Sequence, residues 1–66
     1  MGMECISGDI VEVREQSILF AINSDPDDTI FIPLSVILEG DIEKAHDNED
    51  ILVDGWWYQK NIERFG

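Results

Sequence analysis

The chain has 66 residues, fifteen of them Asp or Glu and four Lys or Arg, for a formal charge of -11. That length holds one small domain, taken as residues 1–66, and no second one. The charge excludes direct binding to nucleic acid or to an anionic membrane, since both need a cationic footprint.

With 44% apolar residues, including three Phe, two Trp and one Tyr, the chain is too rich for a disordered acidic tail. A domain this short folds with a narrow margin, and repulsion among its carboxylates narrows it further. Homo-oligomerisation, or a partner that neutralises charge, would relieve that repulsion. The single cysteine, Cys5, makes no internal disulfide. Lacking a basic neighbour to activate it, Cys5 reads as a buried thiol and not a nucleophile. No apolar run approaches the roughly 18 residues of a membrane span, and no basic segment precedes a signal-like core, so the expected location is cytoplasmic.

In chain order, Gly8 suits a bulge or turn. Asp9–Arg14 then alternates Val11 and Val13 with Glu12 and Arg14, the period of a half-buried strand. After the polar break Glu15–Ser17, the segment Ser17–Asn23 predicts a second strand with Ile18, Phe20 and Ile22 on one face. Leu19 and Ala21 line its other face, so both sides should be covered. Ser24–Asp28 is a turn, set by Pro26 and by aspartates that form side-chain turns.

Thr29–Ile32 is the third predicted strand, ended by Pro33, which has no N–H to donate. Leu34–Ile37 is either a helical turn or extended chain. Glu39–Asp50 reads as an acidic loop, with a weak helix conceivable within Asp41–His46, and Ile51–Val53 as a fourth short strand. Asp54 suits an N-cap for a terminal helix over Trp56–Lys60. Asn61 suits a left-handed close, with Ile62 packing back on Trp57. The predicted fold is mainly β: a small four-stranded antiparallel sheet or partly open barrel with a short C-terminal helix, the tryptophans serving as its lid.

Val11-Glu-Val-Arg-Glu, Ser17-Ile-Leu-Phe, Ile30-Phe-Ile-Pro-Leu-Ser-Val-Ile37 and Trp56-Trp-Tyr-Gln-Lys60 together resemble small proteins of phage and prophage genomes. Those run as a strand pair, a W-I-P-x-S-x-I segment, an acidic variable stretch and a W-x-x-x-K helix. This chain departs from the pattern with Phe31 in place of the Trp and Leu34 where Lys is usual. Its acidic stretch is also more strongly charged. The resemblance implies a mobile-element origin and a small β fold, and supplies no activity.

No catalytic constellation accompanies His46, the sole histidine. Asp47, Glu49 and Asp50 favour its protonated form, a poor general base, so an enzyme is not expected. Asp25, Asp27 and Asp28 fail as a calcium loop, because the sixth and twelfth places hold Ile30 and Val36. One Cys and one His are too few for zinc, and no cofactor is expected. Trp56 and Trp57 suit a core better than a base-stacking platform. One of the pair must point away from its neighbour and is free to anchor a partner.

The acids carry the most functional content. Glu39, Asp41, Glu43, Asp47, Glu49, Asp50 and Asp54 fall within sixteen residues that hold one lysine, Lys44. Carboxylates two apart on a strand stand about 6.5–7 Å apart along one face, comparable to successive phosphates along a nucleic-acid strand. Two readings stay open: a solvated surface that keeps the protein soluble, or an imitation of nucleic acid addressed to a basic groove. The expected partner-binding set is those seven acids with Trp56. The partner would be a protein with a basic surface that handles nucleic acid, bound by a DNA-mimic inhibitor of the anti-CRISPR or anti-restriction class. The alternative is an assembly adaptor that uses the aromatic patch.

Overall fold

β1 (Met3–Val13) is the long central strand on which the others assemble. The computed structural model describes residues 2–65. β2 (Ser17–Ile22) and β3 (Thr29–Pro33) follow as antiparallel hairpins. A 3-10 turn at Leu34–Val36 leads into β4 (Ile37–Glu39). β5 (His46–Asp54) then returns along the other flank of β1, and α1 (Gly55–Lys60) and α2 (Ile62–Phe65) end the chain. The antiparallel sheet has the order β3-β2-β1-β5-β4 and is not closed, so β3 and β4 are its edges.

The inner face is apolar because side chains alternate along each strand. Ile6 and Ile10 of β1, Ile18, Phe20 and Ile22 of β2, Ile30 and Ile32 of β3, and Ile51 and Val53 of β5 form one buried cluster. Trp57 closes it at 7% exposure, whereas the adjacent Trp56 is 49% exposed. Each buried aliphatic or aromatic side chain in such a cluster contributes roughly 1.5–3 kcal/mol. Phe65 meets Trp57 edge-on at 5.8 Å and stacks on Tyr58 at 5.2 Å, extending the lid.

Several expectations are corrected. There are five strands, not four, and β1 begins six residues before the expected Asp9. Its buried residues are Ile6, Gly8 and Ile10, so Val11 falls to the opposite face. The register shift between Ile10 and Glu12 pairs Val13 with buried Ile18, but Val13 is the last residue of the strand and stays exposed. Gly8 lies inside the strand, where a Cβ would stand 2.0 Å from the Ala21 carbonyl oxygen. Cys5 is exposed, not buried, because its side chain falls on the opposite face from Ile6.

The Leu34–Ile37 segment is both things in turn, a 3-10 turn and then strand. No helix forms in Asp41–His46, and the second half of the expected acidic loop is strand β5. Asp54 does hold the N-cap position of α1 but makes no side-chain cap; the Gly55 N–H instead donates to the Gly2 carbonyl at 2.8 Å. Asn61 is not left-handed, at φ -115°, and its side-chain amide donates to the Trp57 carbonyl at 2.9 Å. The chain therefore continues into α2, and Phe65, not Ile62, packs back on Trp57.

Candidate functional site

The carboxylates gather where β4 and β5 flank β1. Glu39 on β4 pairs with Leu52 of β5, and Ser7 of β1 pairs with Asp50. The Ser7 hydroxyl donates to Asp50 Oδ1 at 2.7 Å, which fixes that carboxylate across the ladder. Together Cys5, Glu39, Gly40, Glu49, Asp50 and Leu52 line a concavity of about 280 Å³.

Glu49 organises one wall. Its Oε2 accepts the Asp41 backbone N–H at 2.9 Å, and its Oε1 lies 2.9 Å from His46 Nε2. The other ring nitrogen of His46, Nδ1, lies 3.0 Å from the Lys44 carbonyl oxygen. Both nitrogens thus face acceptors, and only the imidazolium donates from both. The bond to Glu49, aided by the Lys44 carbonyl, raises the His46 pKa above the ordinary histidine range. The same bond, with the Asp41 N–H, holds the Glu49 carboxyl below its ordinary value. This clasp spans the segment 40–45 between β4 and β5.

A second carboxylate fastens the same N-terminal end of β5 to β1. Between Gly8↔Glu49 and Ile10↔His46, the single residue Asp9 faces two residues, Asp47 and Asn48. Asn48 takes the left-handed φ of 59° that such a bulge requires and that asparagine tolerates. Asp9 Oδ1 accepts the Asn48 N–H at 2.9 Å and the Ser24 hydroxyl at 2.7 Å. These bonds, the Asn48 one foremost, lower the Asp9 pKa.

The expected acidic set divides accordingly. Glu39, Glu49 and Asp50 share the concavity. Asp41, Glu43 and Asp47 are exposed beside it, on the connecting segment and the bulge. The uninterrupted alternating row from Glu39 onward does not form, because residues 40–45 are not strand. Asp54 lies at the far end of β5, opposite Met3.

Trp56 stands apart from the Glu39–Glu49–Asp50 concavity, at the Asp54 end of β5. Gly2, Glu4, Gly55, Trp56 and Gln59 line a separate concavity of about 450 Å³, and Lys60 Nζ lies 5.9 Å from the Trp56 ring. Gly55 is needed there, since a Cβ would stand 2.6 Å from the Gly2 carbonyl oxygen.

Reading by sequence missed Asp9, Ser7 and Asn48 as the groups that position this surface. An Asp-Asn pair inside a polar strand is the one local signal for the bulge. No family model matches the chain, and neither a curated protein nor a solved structure does. What the fold and site define is a class: a small open antiparallel sheet with an acidic concave surface at one flank and an exposed tryptophan at one end.

Proposed function

We propose that the chain is a non-enzymatic interaction protein whose acidic surface binds a basic, nucleic-acid-handling host protein. It acts there as a DNA mimic that inhibits a defence system of the anti-CRISPR or anti-restriction kind. The observation that supports this most is the concavity in which Glu39, Glu49 and Asp50 converge with no Lys or Arg in its lining. Hydrogen bonds from Ser7, His46 and the Asp41 backbone hold two of the three carboxylates in place. Preset anionic oxygens on a rigid sheet gain steering toward a cationic groove and lose little side-chain entropy on docking. The resemblance to phage proteins, which implies a mobile-element origin, is the ground for placing the partner in a host.

The test starts from the tagged full chain purified from bacterial cells, with its co-purifying protein identified and then titrated calorimetrically. Affinity should fall steeply as salt rises. Glu39→Lys with Asp47→Lys, two exposed acids, should weaken binding about tenfold or more, because like charges then face each other. Affinity indifferent to both salt and charge reversal would sink the proposal.

A second reading, an assembly adaptor, is favoured by the half-exposed Trp56 beside its own 450 Å³ concavity. Exposed tryptophans anchor interfaces through buried area. Under this reading Trp56→Ala abolishes complex formation, the charge variants leave it intact, and the acids serve solubility alone.

A further inference from the structure

The open edge at β3 carries a hydrogen-bonding pattern complementary to itself. Ile22 N–H donates to the Asp28 carbonyl at 2.9 Å, and Leu34 N–H donates to the Gln16 carbonyl at 2.9 Å. With the register Phe20↔Ile30 and Ile18↔Ile32, even-numbered residues of β3 therefore face β2. Thr29, Phe31 and Pro33 turn their backbone groups outward. Of these, the Thr29 carbonyl already accepts from the Arg64 guanidinium, which also pairs with Asp28 at 3.3 Å. Pro33 has no N–H. The groups left on the edge are the N–H of Thr29, the N–H and C=O of Phe31, and the C=O of Pro33.

We infer that this edge pairs with β3 of a second copy, antiparallel about a two-fold axis through Phe31. In that register Phe31 exchanges both bonds with Phe31 of the second copy, and Thr29 donates to its Pro33 carbonyl. The one acceptor that Pro33 cannot serve, the Thr29 carbonyl, is the one that Arg64 has taken. All four remaining groups are then satisfied, and no other register does this. Proline and a charged side chain are ordinary devices against edge pairing. Here they bound the strand and leave a short, self-matched segment between them.

The β3 edge carries cations that offset its nearby carboxylates. Arg14 and Arg64, two of the four cations, both lie at β3; Arg14 pairs with Glu12 and covers the Phe31 ring at 5.0 Å. Phe31 is 50% exposed, and strand pairing would bury it against its symmetry mate. The β4 edge instead carries Glu39 beside the acidic concavity, where a second copy would be repelled. Because β3 and β4 end the sheet on opposite sides, pairing at β3 makes ten strands with the two acidic flanks farthest apart.

The experiment is sedimentation equilibrium of the full chain from micromolar to millimolar concentration, in roughly 1 M NaCl, where a Debye length of about 3 Å screens repulsion between copies. Hydrogen exchange is followed at single amides in the same samples. The expected result is a rise from 7.5 kDa toward twice that mass. The Phe31 amide should slow about tenfold once nine-tenths of the chain is dimeric, because only the monomer exchanges. The Leu38 amide on β4 should not slow. Phe31→Lys should return the mass to that of one chain, and Leu38→Lys should leave it doubled. A single-chain mass throughout overturns the proposal, and so does a dimer whose Phe31 amide exchanges at the monomer rate. Should Phe31→Lys fail to fold, exchange in the unaltered chain decides alone.

Discussion

Asp9 and Asn48, thirty-nine residues apart, are joined by a 2.9 Å bond from the Asn48 N–H to Asp9 Oδ1 at the bulge of β5. The same oxygen receives the Ser24 hydroxyl at 2.7 Å, so one carboxylate ties the turn after β2 to the strand that bears the acids. Asp9→Ala leaves both donors without this acceptor. The expected result is a Tm lower by a few degrees and faster exchange at the Asn48 amide. Because folding lowers the Asp9 pKa, its contribution is present above the unfolded value and is lost as pH falls through the folded one. Acid unfolding of Asp9→Ala should therefore lack that part of the pH dependence, as urea melts below pH 4 would read.

The His46–Glu49 clasp has the opposite slope on its basic side. His46 has a raised folded pKa, so its stabilisation is complete below the unfolded value of about 6.5 and is lost as pH rises through the folded one. Glu49, whose pKa is lowered, contributes above its unfolded value and loses that contribution as pH falls through the folded one. The clasp is firmest between those limits. Ring-proton NMR should place the His46 titration above that of an unstructured histidine. Glu49→Gln should bring it down and speed amide exchange in residues 41–45. An unchanged His46 titration in Glu49→Gln would refute the pairing.

Gly8 leaves no room for a side chain in β1. An added Cβ meets the Ala21 carbonyl oxygen at 2.0 Å and Phe20 Cε2 at 2.9 Å, and backbone oxygen in a ladder cannot step aside. Gly8→Ala should destabilise by at least about 1–3 kcal/mol, the ordinary cost of overpacking. The urea midpoint reads it, and a neutral outcome would show that β1 and β2 separate more easily than their ladder suggests.

The two tryptophans should part company on mutation. Trp57→Ala removes a 7%-exposed ring from the core and should cost about 3–5 kcal/mol, enough to unfold much of so small a domain. Trp56→Ala alters a 49%-exposed ring and should stay within about 0.5 kcal/mol of the parent. Thermal melts of the pair decide this, and they make Trp56→Ala a clean probe of the adaptor reading.

Local patterning carried β2, β3 and the turn between them. Ile18, Phe20 and Ile22 alternate cleanly, as do Ile30 and Ile32, and Asp25 closes the turn by accepting the Asp27 N–H at 3.0 Å. The same reasoning misjudged Val11 and Val13, because the inward phase of β1 is set by Ile6, Gly8 and Ile10, and Val13, although opposite buried Ile18, ends the strand. It also took His46–Asp50 for loop. Five polar residues in a row have no strand signature, and this run becomes strand only because β1 supplies a ladder.

From the sequence by itself follow the apolar strands, the mainly β class, the placing of seven carboxylates in one short stretch, and the need for one tryptophan to turn outward. Those are properties of neighbours along the chain, which periodicity and composition record. Only the tertiary structure decided that β1 and β5 pair from Met3 to Ile10, that Trp56 is the outward ring, and that Glu39, Glu49 and Asp50 share a concavity while Asp9 serves as a fastening. Those relationships join residues such as Ser7 and Asp50, 43 positions apart, and pairing at that distance is set by the packing of the whole sheet.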